Sequence, residues 1–174
     1  MIRVIRCDPA DAGAEAILRS VSSNLEPDTA FSRTVELAAG NEVSDRLQNM
    51  GELPVGAAVI TPGGELNAAF LIHIVLQSAE EPVRIESLRS ALQNGLRRAQ
   101  EWGLGDLAIP PLGTGAGNLD AEESAGEMVS VIQRHLGQFE YPREVTILVA
   151  TPYEEGVFRE AVERSEPEAP ARES

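Results

Sequence analysis

"LAIPPLGTGAGNLDAEES", residues 107–124, carries an apolar run into three alternating glycines and from there directly into an acidic helix start. Leu107–Leu112 reads as a buried strand and Gly113–Asn118 as its exit loop. Asp120, with Glu123 three residues later, has the spacing of a capping box that opens a helix. The loop therefore lies beside the free backbone N–H groups of a helix N-terminus. Glycines at 113, 115 and 117 allow positive φ and let a bulky anion approach the main chain without meeting a Cβ, while Thr114 adds a hydroxyl donor. That chemistry suits a phosphate, although the same residues also serve as a ligand-free connection between strand and helix. Two familiar phosphate loops are excluded. No Lys followed by Ser or Thr is present, as a Walker A loop requires. The spacing Gly-x-Gly-x-Gly after a fifth strand is also not the dinucleotide fingerprint, which follows the first strand of its unit.

Working outward, short apolar runs alternate with helical periodicity. Strands are expected at Arg3–Arg6, Ala16–Val21, Ala57–Ile60, Phe70–Leu76, Leu107–Leu112 and Val145–Ala150. Val35, Ala39, Val43 and Leu47 recur every fourth residue and predict one helix from Ser32 to about Met50. Ile85, Leu88, Leu92, Leu96 and Ala99 predict a second up to Trp102. A third follows Asp120 through Met128, Ile132 and Leu136, and Val157, Phe158, Ala161 and Val162 mark a last short one. This order predicts an α/β domain with helices on both faces of a mixed or mainly parallel sheet, the three-layer α/β/α class, with ligands at the carboxyl ends of strands. The domain is expected to span residues 1–165, with a Pro- and Glu-rich tail at 166–174 that has no apolar face to bury.

The bulk properties narrow the function classes. At 174 residues, 43% hydrophobic and 24% charged, the chain has the make-up of one soluble domain. No apolar run approaches membrane-spanning length and the first residues lack a signal-peptide pattern, so a cytoplasmic protein without membrane partners is expected. The formal charge of −14 argues against a bulk nucleic-acid footprint. An anionic ligand would have to be held by local devices against this field. The single cysteine, Cys7, offers neither an internal disulfide nor a zinc site, and nothing in the sequence calls for a metal or a cofactor.

Two further stretches join the glycine loop in one resemblance. "LPVGAAVITPGGELNAAFLIHIV", Leu53 to Val75, is similar to the macrodomain segment in which a Gly-x-Ala-x-x-Thr-x-Gly run leads to a strand carrying Ile-His-x-Val. "ELAAGNEV", Glu36 to Val43, resembles the end of that family's first helix, and "LAIPPLGTGAGNLDAEESA" resembles its second phosphate loop. The matches fall in the family's order, and with the strand and helix pattern they reach about Ser165. The resemblance implies a six-stranded mixed sheet and a cleft for ADP-ribose. It places Asp8 where a carboxylate accepts from the adenine amino group, with Asp11 as a near competitor. It places Gly113, Thr114, Gly115, Ala116 and Gly117 around the diphosphate, and Tyr153 where a ring would lie against adenine.

The other half of the implied cleft departs from the family. Arg19, Ser20, Val21 and Ser22 stand where it has Asn-Ala-Ala-Asn, and "NLEPDTAFSRTVELAAG" has no glycine before Gly40 where its first phosphate loop belongs. Arg33 is a candidate replacement, a guanidinium on the diphosphate in place of lost backbone donors, against the alternative of a solvated helix residue. His73 reads as a core histidine, His135 as a cation favourable near a helix C-terminus, and Glu122 with Glu123 as helix-start carboxylates.

Three functional expectations follow. The first is a module binding ADP-ribose or a related nucleotide diphosphate, with weak or no hydrolysis. The second is an ADP-ribosyl or O-acetyl-ADP-ribose hydrolase in which Asn24, Asp28 or Ser32 positions water. The third is a module that has lost nucleotide binding and presents its acidic surface or tail to a protein partner.

Overall fold

The computed structural model describes residues 1–115 and 118–166. The second half of the glycine loop, Ala116 and Gly117, and the tail from residue 167 lie outside the described residues.

Six strands form one sheet in the order β1-β6-β5-β2-β4-β3. β1 (Ile2–Arg6), β6 (Glu144–Val149), β5 (Asp106–Ile109), β2 (Ala16–Ser22) and β4 (Phe70–Gln77) pair in parallel, and β3 (Ala58–Pro62) closes one edge antiparallel to β4. The sheet is thus the mixed six-stranded one implied above. Central strands are apolar on both faces because both faces are covered. On one face α3 (Ile85–Glu101), α4 (Ala121–Gln138) and α5 (Pro152–Ser165) bury Leu92, Leu96, Met128, Ile132 and Phe158 against Leu18, Ile72 and Ile147. On the other, α1 (Ala30–Ala39) and α2 (Asn41–Gln48) bury Val35, Ala39, Val43 and Leu47 against Ile17, Val21, Leu71 and Val75.

Two expected elements change by more than a residue or two at their ends. The helix expected from Ser32 to Met50 is two helices, because Gly40 takes φ +89° and ψ 175° between them, outside the helical region. The apolar period of four continues across the break because both pieces pack on the same face. The strand expected to reach Leu112 ends at Ile109, since Pro110 and Pro111 have no N–H to give to the ladder.

Among the described residues no helix is long and apolar enough to cross a membrane. His135 lies in the core and its Nε2 bonds the Tyr141 carbonyl at 2.8 Å. Burial lowers its pKa, so it does not supply the helix-end cation expected from its position.

Candidate functional site

The strand order locates a site before any side chain is considered. β5 and β2 are adjacent and parallel, yet β5 continues into α4 on one face while β2 continues into α1 on the other. Such a point of divergence leaves a crevice at the carboxyl ends of the strands, where open α/β sheets take their ligands. Here the two strands pair only through Ala16 with Leu107 and Ile17 with Ala108, and beyond that the chains part. Among the described residues its two lips are 110–115 with 118–120 after β5, and the turn at 22–29 after β2.

On the first lip the two described glycines do different work. Gly113 is buried with φ +72°, and a Cβ on it would sit 2.9 Å from Val83 Cγ1 and 3.2 Å from Leu119 Cδ1. It is needed for packing. Gly115 is exposed with no positive φ, and a Cβ there would meet nothing nearer than Asn118 Nδ2 at 3.5 Å. Of the two described glycines it is the one with an exposed main chain. The loop is held by Leu119 N–H donating to Gly113 O at 3.0 Å and Asn118 N–H to Gly115 O at 3.2 Å. Asp120 caps α4 by accepting from Glu123 N–H at 2.7 Å.

The neighbouring strands bring two more candidates to this edge. β1 pairs with β6 from Ile2 with Val145 to Arg6 with Val149, and β6 pairs with β5 up to Ile147 with Ile109. The chain leaving β1 therefore emerges beside the chains leaving β6 and β5. Asp8 follows β1 and is exposed, one carboxylate oxygen accepting from Ala10 N–H at 2.9 Å. Asp11 is exposed on the same short turn. Tyr153 opens α5 just after β6, 61% exposed, and its hydroxyl donates to the Glu122 carboxylate on the first turn of α4. Asp8, the Gly113–Gly115 loop and Tyr153 thus share one edge.

Arg33 does not join them. It is exposed on α1 and, with Asn24, Glu26, Glu36 and Gln48, lines a separate cleft of about 580 Å³ between α1, α2 and the turn at 24–27.

The second lip is built on a buried polar cluster that sequence reasoning missed. Arg19, with no exposed surface, stands beside His73 in the parallel register of β2 and β4. Its Nε donates to His73 Nδ1 at 2.8 Å, Nη1 to the Ser32 carbonyl at 3.2 Å and Nη2 to Glu36 Oε1 at 3.3 Å. Because Nδ1 accepts, the neutral ring carries its proton on Nε2, which donates to Thr61 Oγ1 at 2.9 Å. Thr61 passes its own hydroxyl proton to the Pro62 carbonyl at 3.0 Å. Burial, and then the neighbouring guanidinium, push the His73 pKa well down and hold it in this neutral form. The cluster pins the first turns of α1 to the sheet. Two polar residues inside otherwise apolar runs, Arg19 in "AILRSV" and His73 in "FLIHIV", are the signal that marks it.

Of the residues considered for positioning water, Ser32 is closed off by burial, while Asn24 and Asp28 each make one internal hydrogen bond. Ser32 is fully buried, and its Oγ lies 3.4 Å from Arg19 Nη1. Asn24 accepts from Glu26 N–H at 3.1 Å, and Asp28 accepts from the Ser20 hydroxyl at 2.7 Å. Among the described residues no group of three or more His, Cys, Asp or Glu side chains is placed to hold a metal ion.

Comparison with known proteins agrees with this architecture. The family model described as Macro domain matches residues 20–128. A protein of Methanosarcina mazei described as macro domain-containing is 27% identical over 149 residues, covering 84% of this chain and 80% of its own. Among solved structures, the Oceanobacillus iheyensis macrodomain with ADP superposes with a TM-score of 0.83 at 20% identity, covering 92% of this chain and 89% of that one. The Trypanosoma brucei macrodomain in complex with ADP-ribose gives 0.83 at 16% identity, covering 92% and 68%.

Proposed function

This chain belongs to the macro domain family, and on that premise we propose that it is a binding module for ADP-ribose or a related nucleotide diphosphate, with weak or no hydrolysis. The observation that carries the reading is the shared edge formed by the ends of β1, β6 and β5. There a carboxylate, an exposed aromatic ring and an open glycine backbone follow one another along adjacent strands. In this reading the free oxygen of Asp8 accepts from the adenine amino group. Tyr153 lies against the base, an interaction worth about 1–3 kcal/mol per stacked base. Gly115, with the N–H groups around it and the Thr114 hydroxyl, receives the diphosphate. Two solved relatives carry ADP and ADP-ribose respectively, which supports this class of ligand. The burial of Ser32, with its hydroxyl beside Arg19, favours binding over turnover.

Base selectivity tests the arrangement. A carboxylate accepts from an exocyclic amine and repels a carbonyl oxygen, so ADP-ribose is expected to bind at least about tenfold tighter than its hypoxanthine counterpart. Asp8→Asn keeps an oxygen for Ala10 N–H but offers the base an amide, and it should erase or reverse that preference. An unchanged preference in the variant would remove Asp8 from the site. Release of ADP-ribose from modified protein should stay at background at every protein concentration, and concentration-dependent release would establish the hydrolase instead.

A further inference from the structure

The second lip of the crevice carries a charge that a diphosphate site has no use for. Ser20 is the residue of β2 that follows Leu18 on the α3 and α4 face, beyond the last pairing with β5, and it is buried. Its hydroxyl holds Oδ1 of Asp28 at 2.7 Å. The turn after β2, fixed by Ser22 N–H to Glu26 O at 2.9 Å and by the bridge from Val21 to Pro27, thus folds back to set a carboxylate at the point where the strands part. In the resemblance this loop is the first phosphate loop, made of glycines whose N–H groups face an anion.

Among the described residues the carboxylate makes no ion pair. Arg19 is the nearby positive group, but its donors are given to His73, Ser32 and Glu36, and Glu36 balances its charge. On the opposite lip the charged group is another acid, Asp120, whose oxygen caps α4. Burial raises the Asp28 pKa, while the Ser20 hydroxyl, its own backbone N–H and Arg19 oppose that rise.

Resting on the nucleotide reading above, we propose that Asp28 is a specificity-determining residue that opposes a diphosphate in this crevice. Adenosine, which is uncharged, therefore loses nothing to it, while ADP-ribose binds more weakly than it would across a neutral loop. Like charges brought together in a desolvated crevice are costly, and removing one of them restores affinity for the anion without touching the base subsite.

The experiment is a calorimetric titration of adenosine, its monophosphate and ADP-ribose into the unmodified chain and into Asp28→Asn. The amide still accepts from Ser20. Asp28→Asn should tighten both phosphorylated ligands, ADP-ribose by at least about tenfold, and adenosine by under about twofold. Equal changes for all three ligands, or none for ADP-ribose, would overturn the proposal. Binding of none of the three to either protein would instead bring down the nucleotide reading on which it rests.

Discussion

Arg19→Met is expected to lower the unfolding free energy by about 3–5 kcal/mol, the cost typical of removing one partner from a buried charged pair. The guanidinium binds three groups at once, and its loss leaves His73 Nδ1 without a donor and the Glu36 carboxylate without its partner. A buried polar atom left unpaired costs its full desolvation, whereas removing both partners costs far less. Arg19→Met combined with His73→Leu should therefore recover at least about half of the loss. Arg19→Lys should not, since a single ammonium cannot reproduce a fork aimed at a ring nitrogen, a carbonyl and a carboxylate. Urea unfolding of the three variants beside the unmodified chain decides the matter. A single-variant loss below about 1 kcal/mol, in the range of exposed ion pairs, would show that the cluster does not hold α1 to the sheet.

Gly63→Ala carries the second large effect. An added Cβ would lie 1.9 Å from the Ala68 carbonyl oxygen and 3.0 Å from its carbon. Those are backbone atoms of the loop between β3 and β4, so no rotamer change relieves the contact. Gly63 N–H also donates to Ala69 O at 2.9 Å, and the next residues anchor α1 through Glu65 N–H to Ala39 O at 2.9 Å. Opening this loop loosens the end of the helix whose first turns Arg19 holds. A loss of about 3 kcal/mol is expected, at the upper end of overpacking costs. Gly126→Ala is the control: nothing lies within 4 Å of its would-be Cβ on α4, and a gain of up to about 1 kcal/mol is expected from helix propensity. Equal melting temperatures for the two variants would contradict the steric argument.

Much of the fold was legible because buried parallel strands are apolar throughout. Phe70–Leu76 and Ala16–Val21 stand out for that reason, and the structure has strands at Phe70–Gln77 and Ala16–Ser22. The errors came from residues that act through the backbone. Pro110 and Pro111 continue an apolar run but cannot pair, and Gly40 breaks a helix without disturbing its apolar spacing. Strand order was not read from the sequence, since the resemblance implied a six-stranded mixed sheet without an order, and the site depends on it. Asp8, the Gly113 loop and Tyr153 are far apart in the chain, and only the order β1-β6-β5 makes them neighbours. Gly113 shows the same limit on a smaller scale. The motif is visible in sequence, but Val83 and Leu119 pressed against it, which make it a packing residue, are not. Arg19 was noticed only as a departure from Asn, because its partners His73, Ser32 and Glu36 come from two other elements. Asp28 likewise acquires meaning only once Ser20 is seen to hold it at the parting of β2 and β5.

The most direct measurement of the central claim is a calorimetric titration of ADP-ribose into the unmodified chain and into Gly115→Glu. Gly115 is exposed, free of positive φ and clear of its neighbours, so the variant should fold with an unchanged melting temperature. The expected result is binding of one ADP-ribose per chain, weakened by at least about tenfold when a carboxylate is placed where the diphosphate would lie. No binding to the unmodified chain, or equal affinity in the two proteins, would contradict the account and leave the glycine loop as a connection between strand and helix.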